Sequence, residues 1–279
     1  SCMVAAGVNA AMGHGTDFMD GGPGYPALCS LVPTGMAVAE RVGASGKDLI
    51  TAVALGHDIG ARLHRAAFPL ELIHGKLPPR DPSFPGTDRQ RSAIMAITAA
   101  KLLGLNELQT NNAICIAWHF MPLPAARPGV PMARGGGPSA FNLGSCQWGI
   151  QAALLAQKGF RGPADVLGSE THYDQDRITS SPSPFYYSGN ELHLKNFIAS
   201  RGVHPGISAA LDILQEQGLN PEEIQEIKFR AKRLYLQYPF NTPEPKNYFE
   251  AVNSVPWAFS MAILGYEAGP DWLTDERLN

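Results

Sequence analysis

The chain is poor in the features that mark disulfide-linked, zinc-binding or nucleic-acid-binding proteins. Its four cysteines lie far apart in 279 residues, and none forms a Cys-x-x-Cys pair. We therefore expect buried, reduced thiols rather than disulfides or metal ligands, and no metal site. Lysine and arginine are dispersed, and the net charge of −3 at pH 7 predicts no nucleic-acid partner.

Long apolar runs and a basic leader are also missing. No hydrophobic stretch is long enough to cross a bilayer without a charged residue, Gly or Pro, which predicts a soluble protein with no membrane partner. The first residues, Ser1–Val4, lack the basic start of a secretory signal. These absences favour a cytoplasmic location, or the mitochondrial matrix in a eukaryote. Because the chain starts within a helical pattern, without an initiator Met, we expect a fragment or a chain numbered from an internal residue.

Helical signals dominate the first 160 residues. Three polar pairs have the spacing of a capping box, in which two side chains satisfy the free N–H groups at a helix start. These pairs are Ser45 with Asp48, Thr87 with Gln90, and Asn106 with Gln109. The predicted helices run from Gly46 to about Arg65, from Thr87 to Leu103, from Asn106 to Trp118, and from about Ser139 to Lys158.

The later part of the chain combines helical and strand-like patterns. A helix is predicted between Pro205 and Gly218, strand-like alternation covers Ile227–Tyr238, and Ala251–Leu264 is helical again. We therefore expect a mainly α protein, with an all-helical domain at 1–178 and a smaller α+β domain at 190–250. A helical segment at 251–279 belongs to the small domain or returns from it. Two long Pro/Gly-rich stretches, 68–86 and 122–138, are either functional loops or partly disordered tips.

Residues 14–20 combine an imidazole with two carboxylates where an Ala-rich helix opens into a Gly/Pro loop. Polar groups placed there need partners, which are either structural or supplied by a ligand. The residues alone favour a helix cap for Asp17 and a hydrogen-bonded core imidazole for His14 over catalytic roles. The alternative to a functional role is a solvated lysine for Lys195. For His204 it is a place next to a helix N-terminus.

Six blocks, taken in order along nearly the whole chain, resemble the MmgE/PrpD family. This family includes 2-methylcitrate dehydratase, cis-aconitate decarboxylase and iminodisuccinate epimerase. Residues 9–20 are similar to its Ala-rich helix followed by Asp-Phe-Asp-Asp-Thr, and residues 195–209 to its Lys-Pro-Tyr-Pro…His segment. The other matching blocks are 33–52, 99–105, 152–163 and 254–262.

The resemblance implies a large all-helical domain with a smaller α+β domain, usually in a homodimer, and a small carboxylate as substrate. It implies no metal or organic cofactor. Relatives are longer at both ends, so we expect this chain to be truncated. Position by position, the catalytic candidates are Asp17, Lys195 and His204. The substrate-binding candidates are Arg201, Tyr25, Arg134, Trp257 and His14.

Several positions depart from the family pattern. Met19 and Gly21 replace an Asp and the Thr of the motif, and Tyr25 replaces the His of a following His-Pro. Other departures are Phe84 in a region where the family has a second His, Pro138 at a Lys position with Arg134 as the nearest cation, and Trp257 for a Tyr.

The resemblance favours a cofactor-independent lyase that dehydrates or decarboxylates a small di- or tricarboxylate. An isomerase or epimerase of the same family is the alternative closest in chemistry. The departures also leave open a diverged enzyme with a less charged substrate, or a binding or structural subunit without activity.

Overall fold

The computed structural model describes residues 1–18, 28–67, 86–120, 137–164, 166–167, 174–179, 193–231 and 233–278. These residues divide into two compact units. Unit 1 consists of the described parts of Ser1–Met12, Asp20–Ala125 and Ser139–His193. Unit 2 consists of those of Gly13–Met19, Ala126–Pro138 and Leu194–Asn279. The domain limits expected from the sequence stay a prediction.

Unit 1 is helical, which confirms the predicted mainly α fold. Its α-helices are α1 (Cys2–Gly15, of which the last residues belong to unit 2), α2 (Leu28–Val42), α3 (Gly46–Ala67), α4 (Gly86–Leu102), α5 (Glu107–Phe120), α6 (Gly137–Gln157) and α7 (Gln175–Thr179). Helix α4 packs against α2, α3 and α5, and every residue from 92 to 100 is buried. A helix that is apolar around its whole circumference belongs inside a bundle, as the Ala-rich pattern of this segment indicates.

Two of the predicted capping boxes are confirmed. The Ser45 N–H donates to Asp48 Oδ2 at 3.1 Å, and the Asp48 N–H donates to Ser45 Oγ at 3.2 Å. Asn106 and Gln109 make the same exchange, at 3.1 and 2.9 Å. Because each box satisfies two N–H groups that lack helical partners, α3 and α5 begin where these pairs stand.

Small residues let α4 and α6 approach closely. A Cβ at Gly149 of α6 would lie 2.7 Å from the Ser92 carbonyl oxygen and 2.9 Å from the Ala96 nitrogen. Closer to the start of α6 than Gly149, Asn142 accepts a hydrogen bond at its Oδ1 from Ser30 Oγ at 2.9 Å. Both side chains are buried. The pair satisfies polar groups that the core would otherwise leave without hydrogen bonds.

Unit 2 is built from shorter elements around its own core. Its α-helices are α8 (His204–Gln217), α9 (Tyr248–Asn253), α10 (Val255–Ile263) and α11 (Asp275–Leu278). Short 3-10 helices span Arg201–Val203, Pro221–Glu223, Arg233–Leu236 and Pro270–Leu273. Pro205 stands in the first turn of α8, and Gly218 ends it with φ of 61° in the left-handed region. Both helix limits are those that the sequence predicts.

The strand predicted over Ile227–Tyr238 is wrong. The described part of this range is irregular up to Ala231 and continues as the 3-10 helix Arg233–Leu236. The alternation also fails at the level of side chains, because Phe229 packs against Phe259 at 5.2 Å whereas Ile227, two residues before it, is exposed. A strand also requires a neighbour for its ladder of hydrogen bonds, and no strand element lies among the described residues. The β content expected of the smaller domain is therefore not found in this part of the chain.

The predicted helix over Ala251–Leu264 is two helices. The break falls at Ser254, whose Oγ accepts the Trp257 N–H at 3.0 Å and so caps α10. Pro256 follows within the first turn, where a missing N–H costs nothing. Among the helices that the structure describes, none is long and apolar enough to cross a membrane.

Candidate active site in unit 2

Asp17 has a specific backbone conformation at the end of α1. Its N–H donates to the carbonyl oxygen of His14 at 3.0 Å, which closes a turn. The φ angle of Asp17 is 49°, in the left-handed region that aspartate tolerates better than most non-glycine residues. Asp17 and this turn belong to unit 2.

Lys195 binds Asp17 through both its side chain and its main chain. The Lys195 Nζ lies 2.7 Å from Asp17 Oδ2 and donates to the Asp17 carbonyl oxygen at 2.6 Å. The Lys195 side chain is only 5% exposed, and that of Asp17 is 21% exposed. A charged pair this far from water is held by short, charge-assisted hydrogen bonds.

The carbonyl oxygen of Ala199 links Lys195 to His204. It accepts a hydrogen bond from Lys195 Nζ at 3.0 Å and makes a second one with His204 Nε2 at 3.1 Å. Because a carbonyl oxygen can only accept, the proton of that second bond must lie on Nε2 of His204. When the ring is neutral, its lone pair is therefore on Nδ1, which has no hydrogen-bond partner among the described residues.

The pKa values of Asp17 and His204 are both perturbed. Burial raises the pKa of the Asp17 carboxyl, against the opposing effects of the Lys195 charge and hydrogen bond and of the Arg201 charge. Burial lowers the pKa of His204, and the Lys195 and Arg201 charges lower it further, although the bond to Ala199 opposes them. A histidine with these neighbours is neutral at pH 7 and is able to accept a proton.

Arg201 supplies a second positive charge to this group. It begins the 3-10 helix that leads directly into His204, and its charge acts on both Asp17 and His204. Beside it, Ser200 Oγ lies 3.3 Å from the hydroxyl of Tyr235, and the Tyr235 ring lies against Gly202. A side chain at position 202 would clash with that ring.

Aromatic rings support the site from the core of unit 2. The Phe197 ring packs edge-on against His204, with ring centres 5.4 Å apart, and stacks on Trp272 at 6.3 Å. Trp257 donates its indole N–H to the Trp272 carbonyl oxygen at 3.2 Å. Trp257 is thus part of the aromatic support, and its described hydrogen bonds are to Trp272 and Ser254.

The structure thus brings together four of the eight residues that the sequence predicts for the site: Asp17, Lys195, Arg201 and His204. His14 meets this group through its main-chain bond to Asp17. Tyr25 and Arg134 lie outside the described residues, as do Phe84, most of the two long loops and most of the Ser/Pro-rich stretch 179–189. The roles of all eight residues stay predictions.

Two features of the site were missed from the sequence. The Ala199 carbonyl is a main-chain group, so the identity of residue 199 carries no signal for it. Phe197 did have a signal, because it lies between two candidate residues of the Lys195–Ala209 block and is an aromatic residue in a polar context.

A family model, the MmgE/PrpD N-terminal domain, matches residues 1–180 of the chain. The chain belongs to the MmgE/PrpD family. The matched range contains Asp17, whereas Lys195, Arg201 and His204 lie beyond it. A search of curated proteins finds no match. MmgE/PrpD proteins are generally enzymes, and membership supports a dehydratase or lyase type of activity or a related one.

Proposed function

We propose that this MmgE/PrpD protein is a cofactor-independent lyase that acts on a small di- or tricarboxylate. The observation that carries the proposal is the convergence of Asp17, Lys195, Arg201 and His204 in unit 2. Two cations, a carboxyl with a raised pKa and a neutral imidazole are the groups that proton transfer next to a carboxylate requires.

Each side chain has a role in a dehydration. Arg201 binds a substrate carboxylate, for which a guanidinium offers paired N–H donors. His204 Nδ1 takes the proton from the carbon next to that carboxylate. The C–O bond on the neighbouring carbon then breaks, and the hydroxide leaves as water with a proton from Asp17. His204 afterwards returns its proton to solvent, and Asp17 regains one.

The perturbed pKa values support His204 as the base and Asp17 as the acid. A lowered pKa keeps His204 in the basic form at neutral pH, and burial raises the pKa of Asp17 so that its carboxyl takes up a proton more readily than an exposed aspartate, against the Lys195 charge. Two titratable groups whose environments shift them in opposite directions suit a base and an acid. Lys195 supplies positive charge beside Asp17 and limits that rise.

The same residues suit a decarboxylation. Loss of CO2 leaves a carbanion, which a proton from the Asp17 carboxyl would quench, and Asp17 would regain that proton from solvent. An isomerase or epimerase would share the first proton abstraction without the elimination, so it differs in product rather than in base.

Proton NMR of the protein with citrate, cis-aconitate and 2-methylcitrate tests the proposal. We expect at least one of these acids to be converted to an alkene, a hydrated product or a decarboxylated product. A thermal-shift series with the same acids detects binding without turnover. No conversion and no shift with any of the three would contradict a lyase acting on polycarboxylates.

Matched variants connect any activity to the site. We expect His204→Gln to lower the rate by about 10²- to 10⁴-fold, the usual contribution of a general base. His193→Gln, at an exposed histidine, is the control and should leave the rate unchanged. Equal rates for both variants would remove His204 from the mechanism. The homodimer implied by the family is likewise a proposal, which light scattering of the purified protein tests.

A further inference from the structure

The Lys195 ammonium uses its donors on the protein itself. An ammonium has three N–H groups, and among the described residues Lys195 Nζ makes three short contacts with acceptor oxygens. Two are to Asp17, at 2.7 Å to Oδ2 and 2.6 Å to the main-chain oxygen, and one is to Ala199 at 3.0 Å. With 5% of its side chain exposed, Lys195 has neither a spare donor nor an open face for a substrate carboxylate.

The acceptors of Lys195 are informative because they belong to one proton-transfer candidate and to the hydrogen-bond partner of the other. One is the Asp17 residue itself. The other is the carbonyl that holds Nε2 of His204. The two lone pairs of the Ala199 oxygen are thus shared between the ammonium and the imidazole. Lys195 thus directly contacts the oxygen that sets the His204 tautomer.

The His204 ring is held from a second side by Phe197. Their edge-on contact and the stacking of Phe197 on the buried Trp272 restrict the tilt of the imidazole. The hydrogen bond to Ala199 then decides which nitrogen carries the proton, because the ring has no other described acceptor. Packing against Phe197 thus sets the position of the His204 ring. The Ala199 oxygen, which Lys195 also binds, sets its tautomer.

We propose that Lys195 is a positioning residue, which ties Asp17 to the Ala199 carbonyl and thereby holds His204 with its proton on Nε2 and Nδ1 as the acceptor. The proposal rests on the lyase function only in assigning Nδ1 to the substrate proton. The assignment of the tautomer and of the Lys195 bonds stands on the ligand-free geometry.

Nitrogen-15 NMR of the histidine rings in the ligand-free protein at pH 7.5 tests the tautomer directly. The wild-type protein should show His204 protonated on Nε2, with a typical unprotonated shift at Nδ1. A ring protonated on Nδ1 would overturn the proposal without any variant being made. This readout does not depend on activity, so it stays informative if no polycarboxylate is a substrate.

Variants separate positioning from mere charge. Lys195→Met should shift the His204 nitrogen signals toward a mixture of tautomers, whereas Asp17→Asn, which keeps Lys195 and its bond to Ala199, should leave them in place. Lys228→Met is the control, since that lysine is 82% exposed. An unchanged tautomer in folded Lys195→Met would contradict the link through Ala199. If Lys195→Met does not fold, the tautomer of the wild-type ring and the response of the Lys195 signal to ligand decide instead, because neither measurement needs a variant.

The Lys195 ammonium signal distinguishes positioning from substrate binding. In protein saturated with citrate or cis-aconitate, the Nζ signal of Lys195 should stay within its ligand-free range while the Arg201 guanidinium signals move. In kinetics, Lys195→Met should lower kcat by roughly 100-fold, the cost of misplacing a reacting group, and change KM by about twofold or less. A Lys195 signal that moves with ligand, or a loss confined to KM, would assign Lys195 to substrate binding and overturn the proposal.

Discussion

Asp17 and Lys195 stand 178 positions apart in the sequence and are joined by two contacts from one ammonium, to the carboxylate at 2.7 Å and to the main-chain oxygen at 2.6 Å. The second contact is made to the main chain of a residue whose φ lies in the left-handed region. The Lys195 ammonium therefore binds both the charge and the backbone turn of Asp17.

The first prediction concerns the ion pair. Lys195→Met leaves the carboxylate of Asp17 without its cation in a largely buried place, and we expect unit 2 to lose about 3 kcal/mol of unfolding free energy. Asp17→Asn, which keeps an acceptor oxygen, should lose about 1 kcal/mol. Urea denaturation followed by tryptophan fluorescence measures both, with exposed Lys228→Met as the control. Equal losses for the Lys195 and Lys228 variants would refute the pairing.

The second prediction isolates the backbone of Asp17. Asp17→Gly and Asp17→Ala both remove the carboxylate, but only glycine adopts φ of 49° without strain. We expect the alanine variant to be less stable than the glycine variant by about 1 kcal/mol. Thermal unfolding of the two proteins side by side is the measurement. An alanine variant as stable as the glycine variant would mean that the left-handed turn is not retained.

The third prediction follows from the lowered pKa of His204. An unfolded histidine titrates at about 6.5. Between the folded and unfolded pKa values the unfolded chain binds more protons, so the free energy of unfolding rises with pH there. The contribution of His204 is complete above pH 6.5 and is lost as the pH falls through the folded value. NMR titration of the ring should give a midpoint below 6.5, and a midpoint above it would contradict the burial among Lys195 and Arg201.

The fourth prediction concerns Arg201 and substrate affinity. Arg201→Met should raise KM or the dissociation constant for an active polycarboxylate by about 10-fold or more, because it removes a charge-assisted bidentate contact. Arg201→Lys should restore only part of the affinity, since an ammonium cannot make that paired contact. Arg230→Met, at an exposed arginine of the same unit, is the control. Calorimetric titration with citrate provides the affinities.

The fifth prediction concerns thiol reactivity in unit 1. Burial raises the pKa of the Cys146 thiol to about 11, and Cys115 is buried as well. Because the thiolate is the reactive form, iodoacetamide at pH 8 should alkylate Cys2 and Cys29, which are partly exposed, well before the buried pair. Peptide mass spectrometry after timed labelling shows the order. Early labelling of Cys146 would contradict its place in the core.

Local signals in the sequence were reliable. The Ser45–Asp48 and Asn106–Gln109 boxes act over three residues, so nothing distant could override them, and both are present. Gly218 ends α8 for the same reason, since only the next few residues decide a left-handed cap. The starts of α3 and α5 and the end of α8 were therefore predictable.

Signals that depend on distant partners were less reliable. The alternation at Ile227–Tyr238 could not supply the neighbouring strand that a sheet requires, and the described residues offer none. The pairing of Asp17 with Lys195 was not predicted, because the family resemblance placed both residues in motifs without pairing them. The role of the Ala199 carbonyl was not predictable, because the identity of a residue does not indicate whether its main-chain oxygen accepts a hydrogen bond.

Solvent-exchange NMR tests the central claim, that His204 removes a proton next to a carboxylate, most directly. Citrate, cis-aconitate and 2-methylcitrate are each incubated with the protein in D2O, and the loss of proton signal next to a carboxylate is followed. We expect deuterium incorporation or conversion with at least one acid, its loss in His204→Gln and its retention in His193→Gln. Exchange that persists unchanged in His204→Gln, or no exchange with any of the acids, would contradict the account.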